Sequence, residues 1–247
     1  HVSPNLALIP RLLQEGYEID YIGTEKGIER EMIARVPQVH YHAVKSGKLR
    51  RYFSWQNFTD PFRVVAGAVQ SARLMGKLKP DVVFSKGGFV SVPVVFGAWL
   101  HPIPVVCHES DLTPGLANKL CRPFARKFAT TFPECAAALG PKAEMTGTPL
   151  RPELFGGSRA KGLALLGFTG TKPVLLMMGG SLGAQSVNKV LRAALPDLLP
   201  SFDLCHICGK GNLAPELEGT PGYKQLEFVD KELPDILATA DLVLSRA

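Results

Sequence analysis

An α/β fold of two Rossmann-like units is predicted by three features of this sequence. Strand and helix signals alternate along nearly its whole length, the strand signals are short continuous apolar runs, and the pattern restarts near residue 151. Strands that are apolar throughout are buried on both faces, as in a parallel sheet covered by helices on each side. The 247 residues are 46% hydrophobic and 20% charged, enough to bury ordinary cores in two domains, expected over residues 1–150 and 151–247.

The elements follow in order. Leu6, Ile9 and Leu13 form a helical stripe that Gly16 ends. "YEIDYIG" and "QVHYHAV" read as strands. Asp60 and Pro61 suit the N-cap and first residue of a helix ending near Gly76. "DVVFS" is a short buried strand, followed by "KGGFVSVP" and an apolar helix to Leu100. "IPVVCHE", "KFATTF" and "AEMTG" are strands, with a helix in "TPGLANKLCRPFA". After "GTPLRPELFGG" the cycle begins again. "SRAKGLALLGF", "AQSVNKVLRAAL" and "LPDILATA" are helical, while "KPVLLMM", "DLCHIC", "LEFV" and "LVLS" are strands.

Composition narrows the function without choosing it. A net charge of +6 suits nucleic acid, anionic lipid or phosphorylated substrates. The most apolar stretch, Val90 to Val106, is interrupted by Pro93, Pro102 and Pro104 and is too short to span a bilayer. The visible N-terminus has no signal-peptide pattern, and both ends, His1 and Ala247, are expected to lie inside a longer chain. Of five cysteines, Cys205 and Cys208 form a C-x-x-C with no second ligand pair at zinc spacing, so packing in a reducing compartment is expected. No D-x-D occurs, which argues against a metal–diphosphate site built on paired aspartates.

Two glycine-rich turns carry the chemistry. In "LLMMGGSLGAQ", Gly180, Ser181, Leu182, Gly183 and Ala184 lie between a strand and a helix. Glycines permit close backbone approach, and the free amides and dipole of the helix start favour phosphate. Such a turn alone can also bind nothing. "DVVFSKGGFVSVP" repeats the arrangement with Gly87, Gly88 and Ser91, suggesting two phosphate-bearing ligands or one ligand across a cleft. "VVCHESDLTPG" adds His108, Glu109, Ser110 and Asp111 at another strand end, either as site residues or as a loop in which Asp111 or Thr113 caps the next helix. "KSGKLRRYFSWQNF" mixes basic and aromatic residues, suiting nucleic acid, an anionic membrane or a simple anchored loop. Behind it, Phe62, Arg63, Val65 and Arg73, with Trp99 on another helix, form a surface able to meet lipid.

In order along the chain, "HVSPNLALIPRL", "KPDVVFSKGGFVSVPVVFGAW", "IPVVCHESDLTPGLANK", "TGTPLRPEL", "GGSLGAQSVN" and "FVDKELPDILATADLVLSRA" resemble the MurG family of bacterial N-acetylglucosaminyltransferases. The resemblance implies a GT-B fold whose first domain here lacks its first strand and whose second is truncated. It implies inverting transfer of GlcNAc from UDP-GlcNAc to the C4 hydroxyl of MurNAc in lipid I, giving lipid II. The enzyme would work peripherally on the cytoplasmic membrane face, without metal or other cofactor and without nucleic acid. By the same resemblance, Ser181 and its neighbouring amides hold the donor UDP, Arg151 binds the donor at the domain junction, and the Val229 backbone meets the uracil. Gly87, Gly88 and Ser91 face the acceptor diphosphate. Asp111, where many members carry Asn, lies toward the donor sugar. His1 closes the family's first glycine loop and is the first candidate base, with Glu109 behind it. The family's remaining donor residues are expected beyond Ala247. The alternatives are another sugar-nucleotide enzyme such as a UDP-GlcNAc 2-epimerase, or a non-catalytic nucleotide-sugar or membrane-binding module.

Overall fold

The computed structural model describes residues 2–44, 56–180 and 183–245, with the side chains of 28 and 56–65 outside that description. The chain divides into two compact units, His1–Arg151 and Pro152–Ala247.

The first unit runs α1 (Val2–Gln14), β1 (Ile19–Gly23), α2 (Ile28–Ile33), β2 (Val39–Ala43), α3 (Gln56–Leu78), β3 (Val83–Ser85), α4 (Ser91–Leu100), β4 (Val105–Glu109), α5 (Leu116–Cys121), β5 (Lys127–Thr130), α6 (Pro133–Leu139) and β6 (Ala143–Met145). β1 and β2 pair in parallel as one small sheet, with Ile19 opposite Val39. β3-β4-β5-β6 form a second parallel sheet, with Ser85 opposite Cys107 and Glu109 opposite Thr130. Its core joins Val95 and Ala98 of α4 to Val105 and Cys107 of β4, Phe128 of β5 and Met75 of α3. α3 and α4 approach closely at Gly97, where an added Cβ would lie 2.9 Å from the Ala72 amide nitrogen. Any side chain there would push the helices apart.

The second unit runs α7 (Arg159–Leu166), β7 (Val174–Met178), α8 (Gln185–Ala193), α9 (Leu195–Leu198), β8 (Asp203–Ile207), β9 (Tyr223–Leu226), α10 (Leu233–Thr239) and β10 (Leu242–Ser245). The strands form a parallel sheet in the order β10-β7-β8-β9. Successive residues of β7 point to opposite faces and both are buried. Leu176 joins Cys205, Ile207 and Ile236 on one face, and Met177 joins Leu191, Leu204 and Tyr223 on the other. This is the double-sided burial that continuous apolar strands predict.

Several local expectations are corrected. α3 begins at Gln56, so Asp60 and Pro61 lie inside it rather than at its start. A proline there forfeits one intrahelical bond, a loss the rest of a 23-residue helix outweighs. Its end at Leu78 lies near Gly76 as expected, ahead of Lys79 at φ +48° and Pro80. The strand expected in "LEFV" is instead β9, built on "YKQL". α5 is capped by Gly115, not by Asp111 or Thr113.

Candidate functional site

In the second unit the chain leaves β7 into Gly179 and Gly180. Gly180 has φ +83° and open space where a Cβ would stand, so the backbone there is bare to an approaching ligand. Gly183 has φ +71°, and its amide donates to the Gly180 carbonyl at 2.9 Å, closing the turn. Ala184, buried, is the N-cap of α8 and supplies no side-chain cap. The first-turn amides of α8 therefore have no intrahelical partner and carry the positive end of the helix dipole. β7 is flanked by β8 on one side and β10 on the other, so the turn lies at the point where strand order reverses. A crevice outside the carboxyl ends of the strands at that point is where open α/β sheets bind ligands. Val229 lies in the loop after β9, at that same end of the parallel sheet, half-buried against the cluster containing Leu176 and Ile236. Ser181 and Leu182 lie outside the described residues.

In the first unit the β3–α4 turn holds Gly87 at φ +84° and Gly88 at φ +89°. Ser91 donates its hydroxyl hydrogen to the Gly87 carbonyl at 2.6 Å, and the Gly87 amide donates to Ser85 Oγ at 3.3 Å. A Cβ on Gly87 would come within 3.3 Å of Asn118 Nδ2, so the turn is pressed onto α5.

Beside it stand the residues that end β4. His108 is buried and donates from Nε2 to the Gly147 carbonyl at 3.0 Å, which leaves Nδ1 as a bare acceptor without a partner among the described residues. Burial, with the neighbouring Lys86 charge, outweighs the Gly147 bond and the Glu109 charge and pushes its pKa down, so His108 is neutral near pH 7. Glu109 accepts from the amides of Ser110 (2.9 Å), Asp111 (3.2 Å) and Gly115 (2.8 Å) and from Asn118 Nδ2 (2.9 Å). Burial alone would raise its pKa, but these donors outweigh burial and hold it below the usual value. They fill about the four lone-pair sites that a carboxylate offers. Glu109 thus anchors the loop into the start of α5 and has no open site for the proton of a substrate, which removes its geometric case as second candidate base. Asp111 is exposed, with its amide given to Glu109. Arg151, half-buried, is the last residue of the first unit.

Lys86, which the sequence reading passed over, is 5% exposed, and its Nζ donates to Ser110 Oγ at 2.8 Å. The signal for it was a cation between an apolar strand and two glycines, but its burial is a tertiary property.

His1 lies outside the described residues, as do the side chains of Phe62, Arg63 and Val65 and all of the basic–aromatic segment from Lys45 to Trp55. Arg73 is exposed on α3, and Trp99 is 51% exposed at the end of α4. Trp99 leans on Phe124 and Phe96, with ring centroids 5.2 and 5.6 Å away. No helix among the described residues is long and apolar enough to cross a membrane.

Models of two domains match this chain: the glycosyltransferase family 28 N-terminal domain over residues 1–130 and the family 28 C-terminal domain over residues 174–247. A UDP-N-acetylglucosamine–N-acetylmuramyl-(pentapeptide) pyrophosphoryl-undecaprenol N-acetylglucosamine transferase of Geobacillus thermodenitrificans is 57% identical over 100% of this chain and 70% of its own length. Its counterpart in Clostridium kluyveri is 55% identical over the same shares. Among solved structures, MurG of Acinetobacter baumannii superposes with a TM-score of 0.71 at 24% identity, covering 100% of this chain and 68% of that one. A UDP-GlcNAc 2-epimerase of Neisseria meningitidis, solved with UDP-GlcNAc bound, gives 0.62 at 12% identity, covering 100% and 75%. At those identities the likeness is one of fold.

Proposed function

We propose separate tasks for the two glycine turns from one premise: this chain belongs to glycosyltransferase family 28, within its MurG branch. It is a hexosyltransferase that moves GlcNAc from UDP-GlcNAc to the C4 hydroxyl of MurNAc in lipid I, forming lipid II for peptidoglycan. The observation that carries the donor assignment is the position of Gly179, Gly180 and Gly183 at the switch point between β7 and β10.

The 152–247 unit holds the donor. Gly180, Ser181, Leu182, Gly183 and Ala184 present the turn and the start of α8 to the UDP diphosphate, and the Val229 backbone meets the uracil; Asp111, a residue of the 1–151 unit, is assigned to the donor sugar. Arg151 adds its cation to the diphosphate. The 1–151 unit holds the acceptor, with Gly87, Gly88 and Ser91 shaping the site for the lipid-linked diphosphate. The acceptor oxygen attacks C1 of GlcNAc as the bond from C1 to the UDP oxygen breaks, inverting C1. The hydroxyl proton passes to a base, for which His1 is the candidate. The negative charge growing on UDP is met by the α8 amides, fixed donors that need no reorganisation, and by Arg151. Trp99 and Arg73, with Phe62, Arg63 and Val65, set the first unit peripherally against an anionic membrane on its cytoplasmic face.

The test is transfer of labelled GlcNAc to a lipid I analogue by the complete protein, with chelator present. Transfer at the uninhibited rate is expected. A folded protein that fails to transfer, or that instead epimerises UDP-GlcNAc at C2 without acceptor, would refute the assignment.

A further inference from the structure

Lys86 is a cation in an unusual position. It follows β3 directly, precedes the two positive-φ glycines of the β3–α4 turn, and is 5% exposed. An ammonium offers three donors, and among the described residues one is used, toward Ser110 Oγ at 2.8 Å. No carboxylate among the described residues comes within ion-pair distance of it. Glu109, whose charge acts on it, is already engaged by three amides and Asn118. A buried charge with an unfilled hydrogen-bonding shell is costly unless something of opposite sign completes it. Burial depresses the Lys86 pKa, and the pull of Glu109 and Asp111 does not fully offset it.

The surroundings indicate which anion. The amides of Gly88, Phe89 and Val90 make no hydrogen bond among the described residues, and they lead into α4, a ten-residue helix whose N-cap supplies no side-chain cap. Unused amides at a helix start, on the turn that directly follows a buried lysine, suit a phosphate better than a carboxylate, which is best matched by the planar fork of an arginine.

We propose that Lys86 is a binding residue for the acceptor, its ammonium making the cationic contact to the lipid-linked diphosphate seated on the Gly87–Gly88 turn. Ser110 holds the ammonium by its hydrogen bond, and Glu109 fixes the loop that carries Ser110. This assignment rests on the reading that the β3–α4 turn receives the acceptor.

Steady-state kinetics of the complete protein separate the two. Three proteins are compared, wild type, K86M and G88A, each against UDP-GlcNAc and two lipid I analogues, one with its diphosphate and one with an uncharged linker. Methionine matches the lysine stem and suits burial, so K86M removes charge with little loss of packing. K86M should raise the KM for the diphosphate analogue by about tenfold and leave the KM for UDP-GlcNAc within about twofold. Wild type should favour the diphosphate analogue over the neutral one, and K86M should lose that preference. If G88A raises the acceptor KM and K86M does not, Lys86 is dismissed while the turn keeps its role. If neither moves the acceptor KM, both assignments fall. Should K86M melt early, wild type still decides: equal KM for charged and neutral linkers would mean that no cation reads the diphosphate.

Discussion

A methyl group on Gly183 would overlap the carbonyl oxygen of Cys208 and press on Asn212 Nδ2, on a backbone at φ +71°. Gly183→Ala should therefore destabilise the protein by about 2–4 kcal/mol, read as a lowered thermal midpoint. Gly180 differs: a Cβ there meets nothing, so Gly180→Ala should cost only about 1 kcal/mol of left-handed strain. It should raise the KM for UDP-GlcNAc, because the new methyl occupies space proposed for the diphosphate. His206 sets a pH dependence. It is fully buried, accepts from the Tyr223 hydroxyl at Nδ1 (2.8 Å) and donates from Nε2 to Asn188 Oδ1 (3.0 Å). Burial, then the Arg192 charge, push its pKa down to about 4. The unfolded chain, with a histidine pKa near 6.5, binds the proton first on acidification. The stability His206 supplies is therefore complete above about pH 6.5 and declines as pH falls toward about 4. Urea midpoints across that window should fall more steeply for wild type than for His206→Asn. An equal slope would show that His206 does not titrate on unfolding. Neither the neutral state of His206 nor the burial of Lys86 was legible in sequence, because both depend on what distant segments pack around them.

Elements were legible in proportion to their apolar content. β7 is a pure apolar run, β4 opens on one, and α1 has a clear stripe, so pattern alone located them. β9 was read about three residues late because it is built on "YKQL", whose buried Gln225 looks like a loop residue. Its amide is satisfied by the Ala214 nitrogen at 3.0 Å and carbonyl oxygen at 2.6 Å, partners eleven residues away in sequence. α2, α6 and α9 are each only one or two turns long, which gives a helical period little length in which to register. The α3–α4 pair carries a prediction of its own. Exposed Trp99 and Leu100 at the end of α4, and Val69 and Arg73 one turn apart on α3, offer apolar and cationic groups on packed neighbours. Trp99→Ser combined with Arg73→Glu should release the complete protein from vesicles rich in anionic lipid in a sedimentation assay. Transfer to a soluble acceptor analogue should be unchanged. Retention on the vesicles would take the membrane role away from this pair.

At the scale of the molecule, the class of fold was the most legible property, since alternation and double-sided burial are repeated throughout and no single misread element can hide them. The glycine turns were legible as well, because positive φ at a strand end demands the residue that the sequence shows. What each turn binds came from resemblance, since a glycine turn alone does not name its ligand. The five cysteines belong to the same scale. All are free and buried, three in the first unit (Cys107, Cys121, Cys135) and two in the second (Cys205, Cys208). Burial pushes the Cys205 thiol up to about 12, so it is scarcely ionised at neutral pH. Alkylation of the native protein should be slow at every one of them and complete in denaturant. Mass spectrometry of timed labelling would then date the opening of each unit separately, with no engineered probe. The molecule carries two built-in clocks, and whether they strike together would tell if the halves come apart as one event or in sequence.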